Sequence, residues 1–453
     1  MMQYTLMIMQ SVRYGFLKKA LALVFFILCA GPLSALNLKI SQGHVAPIPI
    51  ALTPAREADA ALTEIGRDII QKIEMNLKFS GGFSFIDERA YVQDMRNLHE
   101  NGPRFGDWRI LNAHALTRLS LKRIPEGILL TFHLYDVMTQ KELVGLSIKG
   151  RTDQWRRMAH KVSDSIYKSL TGDEGYFDTQ IAYVHETGSR VHRRRQIAIM
   201  DQDGHNHRFL TPKTQNIVLS PRFSPSGQRL VYLDFGKNNR VPRVRIMDIK
   251  TQKNQTLGEF PGMTFAPRFS PNGQKVMMSL ARNGSSALYE MDLVSRSVKS
   301  ITSGPFLDTS PCYSPDGERV VFNTNRSGTQ QIYLMDANGD NMRRISYGPG
   351  RYATPVWSPR GDWIAFTKMS GGQFYIGVMR PDGSGERLIT THNVVEDPSW
   401  SANGRMIIFS RTDPRIHGKS TLNAVDITGF HERLINIPAE GSGPTWSGTG
   451  GKH

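Results

Sequence analysis

Four serines recur in matched settings in the second half of the chain: Ser224, Ser270, Ser314 and Ser358, each between an aromatic residue and a proline. A serine hydroxyl becomes a nucleophile only beside a base that takes its proton. These copies are equivalent to one another. No Gly-x-Ser-x-Gly elbow, phosphate-cradling glycine loop or His-Glu-x-x-His pair accompanies them. One serine repeated in one setting argues for turn chemistry, so no catalytic residue is expected. Asp201-x-Asp203-Gly204-x-Asn206 opens like a calcium loop, but Pro212 stands where the bidentate glutamate would close it. A hairpin turn is the expectation there. His205 and His207, with His192 upstream, could ligate a metal, but at an exposed turn they are expected to be solvated. No metal and no cofactor are therefore expected.

The serines belong to a longer repeat that reads proline, any residue, aromatic, serine, usually proline, any residue, glycine. Its copies are PRFSPSG from Pro221, PRFSPNG from Pro267, PCYSPDG from Pro311, PVWSPRG from Pro355, PSWSANG from Pro398 and PTWSGTG from Pro444. Proline-to-proline spacings are 46, 44, 44, 43 and 46 residues. A period in the forties with strand-rich content marks a β-propeller, one blade per repeat. Within each blade the Pro-x-aromatic-Ser piece is the first strand. Ser-Pro-x-Gly is a tight turn, with proline fixing φ and glycine ending it without steric cost. Apolar second strands follow (Leu230–Leu233, Val276–Met278, Val320–Phe322, Ile364–Phe366, Ile407–Phe409), then third strands ending near an acidic residue. Asp203-Gly204, Asn338-Gly339 and Asp382-Gly383 turn into outer strands. The aromatic series Phe223, Phe269, Tyr313, Trp357, Trp400 and Trp446 is expected to pack between blades.

The sixth copy has its turn but no second strand after it, while Gln180–Val184 reads as a second strand with no first strand before it. The two halves imply a six-bladed ring closed by pairing 444–450 with 180–184, which hides both edges.

Upstream, Arg13, Lys18 and Lys19 precede an apolar run from Ala20 to Ala30 and then small residues, the pattern of a secretory signal cleaved after Ala35. The whole chain carries +16, and Met1–Ala35 holds three basic and no acidic residues, leaving +13. That charge is spread out and, given export, does not point to nucleic acid. The two cysteines are Cys29, inside the signal, and Cys312, which alone makes no intrachain disulfide. Between signal and ring, 36–171 reads as an α/β domain with a mixed sheet and two helices. An extended segment spans Leu36–Leu52. A helix over Pro54–Phe79 carries Leu62, Ile65, Ile69, Ile73 and Leu77 at three- and four-residue steps. Strands are expected at Phe83–Ile86, Trp108–Leu121, Gly127–Asp136 and Leu143–Ile148, and a second helix over Asp153–Leu170. Gly172–Asp178 is a short linker to the propeller at 172–453.

First strands are innermost in a propeller, so the segments entering them (262–266, 307–310, 351–354, 394–397) converge on the channel mouth. They are irregular, partly apolar and differ between blades while the motif after them stays constant, as a rigid ring presenting a partner-binding rim would.

The order of signal, small α/β domain and six-bladed propeller resembles the TolB family. The most specific likeness is the junction: Phe132-His133-Leu134-Tyr135-Asp136-Val137, then Arg157, His160, Asp164, Tyr167, Leu170-Thr171-Gly172, Gly175 and Phe177-Asp178, leading into Ile181-Ala182-Tyr183-Val184. The resemblance implies a non-enzymatic periplasmic monomer of the Tol-Pal system that bridges TolA and the outer-membrane lipoprotein Pal, with other outer-membrane or peptidoglycan-associated proteins as further partners. Such a scaffold helps the outer membrane follow the septum during division. It implies TolA contact by the segment from Leu36 to about Pro47, with Leu36, Asn37, Leu38, Lys39 and Ile40 at its start. Pal would dock on the rim at Met263, Thr264, Ala266, Asp308, Thr309, Tyr352, Thr354 and Glu396. The chain departs from the family where Met263-Thr264-Phe265 is more apolar, and where Ala402 and Gly448 replace the second proline. Two other functions fit a bare exported propeller: binding a cell-wall sugar or small ligand, or serving as the propeller module of a peptidase.

Overall fold

In the computed structural model the structure describes residues 46–189, 192–213, 217–236, 242–260, 263–413 and 419–448. The expected signal and the Leu36–Ile40 segment lie outside these residues. Among the described residues no helix is long and apolar enough to cross a membrane.

The N-terminal region is a mixed sheet with two long helices on one face. Its strands are β1 (Ile48–Ala51), β2 (Arg56–Glu57), β3 (Phe83–Phe85), β4 (Ala115–Ile124), β5 (Gly127–Asp136) and β6 (Lys141–Gly150). The order is β3-β1-β4-β5-β6; β1 lies parallel to β3 and β4, β2 pairs with β4 further along, and β4-β5-β6 is an antiparallel meander. Helix α1 (Thr63–Phe79) buries Ile69, Ile73 and Leu77 at four-residue spacing, and Gly81 (φ 72°) turns the chain after it. Two short helices, α2 (Met95–Asn101) and α3 (Phe105–Ile110), pack on the other face, and α4 (Trp155–Thr171) ends at Gly172 in the left-handed region (φ 77°).

This corrects the strand expected from Trp108: 105–110 is helical and the strand starts at Ala115. Trp108 is fully buried and its indole N–H donates to Gln93 Oε1 at 2.9 Å, so it is a helical core anchor whose bulk resembled strand content.

Six four-stranded antiparallel sheets follow. Blades one to five run from Ile217, Met263, Thr309, Arg351 and Val394 in turn, each with its four strands in sequence order. The sixth is composite: its inner strand, Glu440–Trp446, pairs with β7 (Gln180–Thr187), which continues to β8 (Arg194–Asp201) and β9 (Arg208–Phe209). The paired residues are 440–446, not 444–450, because the Pro-x-aromatic-Ser piece ends the strand and the residues after it form the turn. Trp446 anchors the seam, donating its indole N–H to Thr179 Oγ1 at 2.8 Å.

The motif serines do turn chemistry. The hydroxyls of Ser270, Ser314 and Ser401 each accept the N–H five residues on at 2.9 Å, and that of Ser224 does so at 3.1 Å. The motif aromatics are largely buried and contact the preceding blade: Trp400 Nε1 donates to Val356 O at 2.9 Å, and Arg229 stacks over Phe269 at 5.6 Å.

The N-terminal region and the ring fall in one compact unit, Pro47–His453. Their cores merge: Leu134, Val162, Tyr176, Phe177, Ile181 and Trp446 belong to one buried cluster.

Candidate functional site

All six innermost strands carry a bulge at the same place. Register breaks between Leu219 and Arg222, Phe265 and Arg268, Thr309 and Cys312, Ala353 and Val356, Glu396 and Ser399, and Ser442 and Thr445. At each break the residue before the motif proline has positive φ: Ser220 (52°), Ala266 (45°), Ser310 (54°), Thr354 (45°), Asp397 (57°) and Gly443 (56°). Five of the six are not glycine, and a left-handed residue ahead of proline is doubly disfavoured. A strained conformation held at six equivalent positions bends each strand as it enters the channel and re-aims its side chains.

The expected entry loops are therefore largely strand. Met263–Phe269, Arg351–Trp357 and Val394–Trp400 are continuous strands whose first halves form the rim. Sequence alone starts the strand at the proline because the bulge interrupts alternation there.

The rim residues fall into two groups. Asp308 is 1% exposed and accepts both carboxylate contacts from Arg326 Nη2, at 3.0 and 2.9 Å. Tyr352 is fully buried; its hydroxyl donates to Glu386 at 2.9 Å, and Lys368 lies 4.7 Å over its ring. These two brace the rim from inside. Thr354 bonds Thr367 through hydroxyls at 2.8 Å, and Thr309 accepts from Asn323 Nδ2 at 2.7 Å. Thr309 also lines an apolar notch of about 360 Å³ with Phe265, Ala281 and Leu307. Ala266 occupies its bulge, and Met263 and Thr264 pair with Ala281 and Leu280. Glu396 is reachable by water, yet it stands in the crowded mouth; burial and then the Asp397 carboxylate push its carboxyl up.

A second cluster lies at the junction with the N-terminal region; His160 belongs to the junction likeness and Asp203 to the expected hairpin, but nothing in the sequence joins them to Lys72. Asp203, in the turn after β8, receives Lys72 Nζ from α1 at 2.7 Å and Arg156 Nη1 from α4 at 3.4 Å. Both Lys72 and Asp203 side chains are under 10% exposed. Burial would raise the Asp203 carboxyl, but His160 and the Lys72 ammonium outweigh it and hold it well below the usual range. His160 is pushed down to about 4, mainly by burial; its Nδ1 faces the Asn76 amide nitrogen at 2.9 Å and its Nε2 has no hydrogen-bond partner among the described residues. Gln202 joins the same network, donating to Asn76 Oδ1 at 3.3 Å and accepting from Arg433 at 2.6 Å. Beyond the other end of α4, Asp173 takes Arg360 at 2.6 Å and Arg405 Nε at 2.7 Å.

The turn Asp201–His205 is the expected hairpin, with Gly204 at φ 87°. His160, Asp201 and Asp203 offer atoms within 4.8 Å of one another, but Lys72 and Arg156 already supply the positive charge a cation would bring. His207 bonds the Tyr183 hydroxyl at 2.9 Å, while His205 and His192 are exposed.

In an antiparallel blade, the first-to-second and third-to-fourth turns share one face, and the starts of the first strands share the other. Asp203, which meets α1 and α4 of the N-terminal region, and Arg360, Asn403 and Arg405, which meet the linker residues Asp173 and Glu174, all lie on the first face. The bulged rim lies on the opposite one.

Residues 36–143 match the family model described as the TolB amino-terminal domain, and 167–449 match that of the TolB beta propeller domain. The chain is 51% identical over 416 residues to the Tol-Pal system protein TolB of Paramagnetospirillum magneticum, covering 91% of this chain and 92% of that protein. The crystal structure of TolB from Acinetobacter baumannii superposes with a TM-score of 0.77 at 25% identity, covering 89% of this chain and 97% of the other. The chain belongs to the TolB family.

Proposed function

We propose that this chain is a non-enzymatic periplasmic scaffold of the Tol-Pal system that bridges TolA and Pal, maintaining the outer membrane and supporting its constriction at division. In this reading 1–35 is a removed export signal. The segment from Leu36 contacts TolA and, with the rest of 36–171, forms the N-terminal domain, while 172–453 offers its rim to Pal. One observation carries the Pal assignment: the N-terminal region engages the turn face of the ring, leaving the bulged rim, with its apolar notch beside Thr309, as the presented surface. The motif serines, satisfied within their turns, support action by binding and not by catalysis.

The test is retention of purified Pal on the immobilised full chain at low salt; no retention would sink the proposal. Thr309→Arg, which puts a charge into the notch, weakens Pal binding at least about tenfold, roughly 1.4 kcal/mol. Its melting temperature stays at the wild-type value. A binding loss accompanied by a collapsed melt would count against a rim contact.

A further inference from the structure

The second motif position of all six blades faces one cavity in the channel, of about 360 Å³: Arg222, Arg268, Cys312, Val356, Ser399 and Thr445. Its lining holds two arginines and no carboxylate. Arg222 is 8% exposed; Nη1 donates to the carbonyls of Pro221 (2.8 Å) and Gly443 (3.4 Å), while Nε–H has no partner among the described residues. Arg268, one blade on, has a buried Nε–H in the same condition, and its guanidinium makes no hydrogen bond or ion pair among the described residues.

A guanidinium has five donors in a fixed fork suited to two oxygens of one anion. Burying such donors unmatched costs about 1–3 kcal/mol each, and more for charged groups. A second like charge adds repulsion. Burial, and then Arg268, lower the Arg222 guanidinium to about 10; Asp397, outside the cavity lining, only partly opposes this. Nothing in the turn chemistry of the motif calls for arginine here, since other blades fill the position with valine, serine, threonine and cysteine. The wall around the pair mixes aromatic rings and prolines (Phe223, Phe269, Trp357) with serine hydroxyls such as Ser314 and Ser358, and its partial exclusion of water strengthens electrostatic attraction inside it.

We propose that the channel is a binding site for a small oxyanion, a carboxylate, phosphate or sulfate, held by the guanidinium groups of Arg222 and Arg268. The site lies inside the ring and is independent of the Pal-binding rim.

The experiment is calorimetric titration of the full chain with sodium citrate, phosphate and sulfate in turn, against sodium chloride at matched ionic strength, with thermal melts alongside. One-site saturable heat is expected with at least one of the three and not with chloride. Citrate alone would assign a carboxylate; phosphate or sulfate would assign a tetrahedral oxyanion. R268Q weakens binding at least tenfold, while its ligand-free melt equals or exceeds the wild type because repulsion is relieved. R222K, which keeps the charge and loses the fork, binds more weakly than wild type. The exposed-site control K299Q binds as wild type. Absence of saturable heat with all three anions, or equal affinity in R268Q, overturns the proposal.

Discussion

Replacing Lys72 by methionine leaves Asp203 buried with Arg156, at 3.4 Å, as its remaining close cation. Breaking a buried ion pair from one side costs about 3–5 kcal/mol, because the abandoned charge stays desolvated. The surviving arginine puts this case at the low end, about 3 kcal/mol. Asp203→Asn strands the Lys72 ammonium in the same way and costs a similar amount. The double variant K72M/D203N leaves no abandoned partner and costs about 2 kcal/mol or less, a coupling of about 4 kcal/mol. Unfolding about 400 residues cooperatively carries an entropy near 0.8 kcal/mol/K, so each single variant lowers the melting temperature by about 4 °C. Calorimetry is the assay, because it also reports whether one transition becomes two as the N-terminal region leaves the ring. Shifts under about 1 °C in both single variants, or costs that simply add in the double, would refute the idea that this pair fastens the two regions.

Two further predictions concern pH and backbone. Asp201 is pushed up to about 6, chiefly by burial, with Asn206 opposing, so its ionised form disfavours the fold. That penalty is present above the folded value, falls away as pH drops through it, and is gone below the unfolded value of 3.8. Asp201→Asn removes it, so between pH 4 and pH 7 the wild type loses about 1–2 kcal/mol more than the variant, allowing for partial exposure. Melts at the two pH values check this, and parallel curves would contradict it. Gly383 has φ 91°, and a Cβ there would sit 2.3 Å from the Ile345 carbonyl oxygen. Gly383→Ala therefore costs at least about 2 kcal/mol. Gly443→Ala, with φ 56° and nearest contact 3.8 Å, costs under about 1 kcal/mol. Equal costs would show that backbone approach is not the discriminating factor.

The ring was legible because its signals are local. Proline, serine and glycine fix a turn within seven residues, and repetition multiplied that signal sixfold. Helices α2 and α3 were missed because six or seven residues built around Trp108 carry too little period to separate helix from strand. The left-handed rim positions were invisible for a different reason: Ser220, Ala266, Ser310, Thr354 and Asp397 are residue types that do not announce positive φ. Only tertiary closure imposes it. The junction network joins residues 131 apart, Lys72 and Asp203, and no spacing rule reaches that far. The channel arginines did leave a trace: the second motif position varies between blades while its neighbours stay constant. That variation was readable, but not the common axis on which the six side chains converge. Of the rim residues, Asp308 and Tyr352 look alike in sequence to the others, and burial alone separates these braces from the exposed Glu396.

The composite sixth blade has a consequence for how the molecule comes into being. Gln180 and Trp446 sit at the two sides of the seam, and the bonds across it join residues as much as 267 apart in the chain. β7 has no mate until residues 440–446 have emerged, at the far end of the chain. Until that mate arrives the chain exposes an unmatched inner edge beside five blades whose strands are all local. The ring cannot be completed blade by blade as the chain emerges; its closure is a single late event that requires Trp446 to be present. A truncated or stalled product retains that open edge and becomes a substrate for strand-pairing aggregation or proteolysis, so the seam also serves as a check that synthesis has reached the last blade.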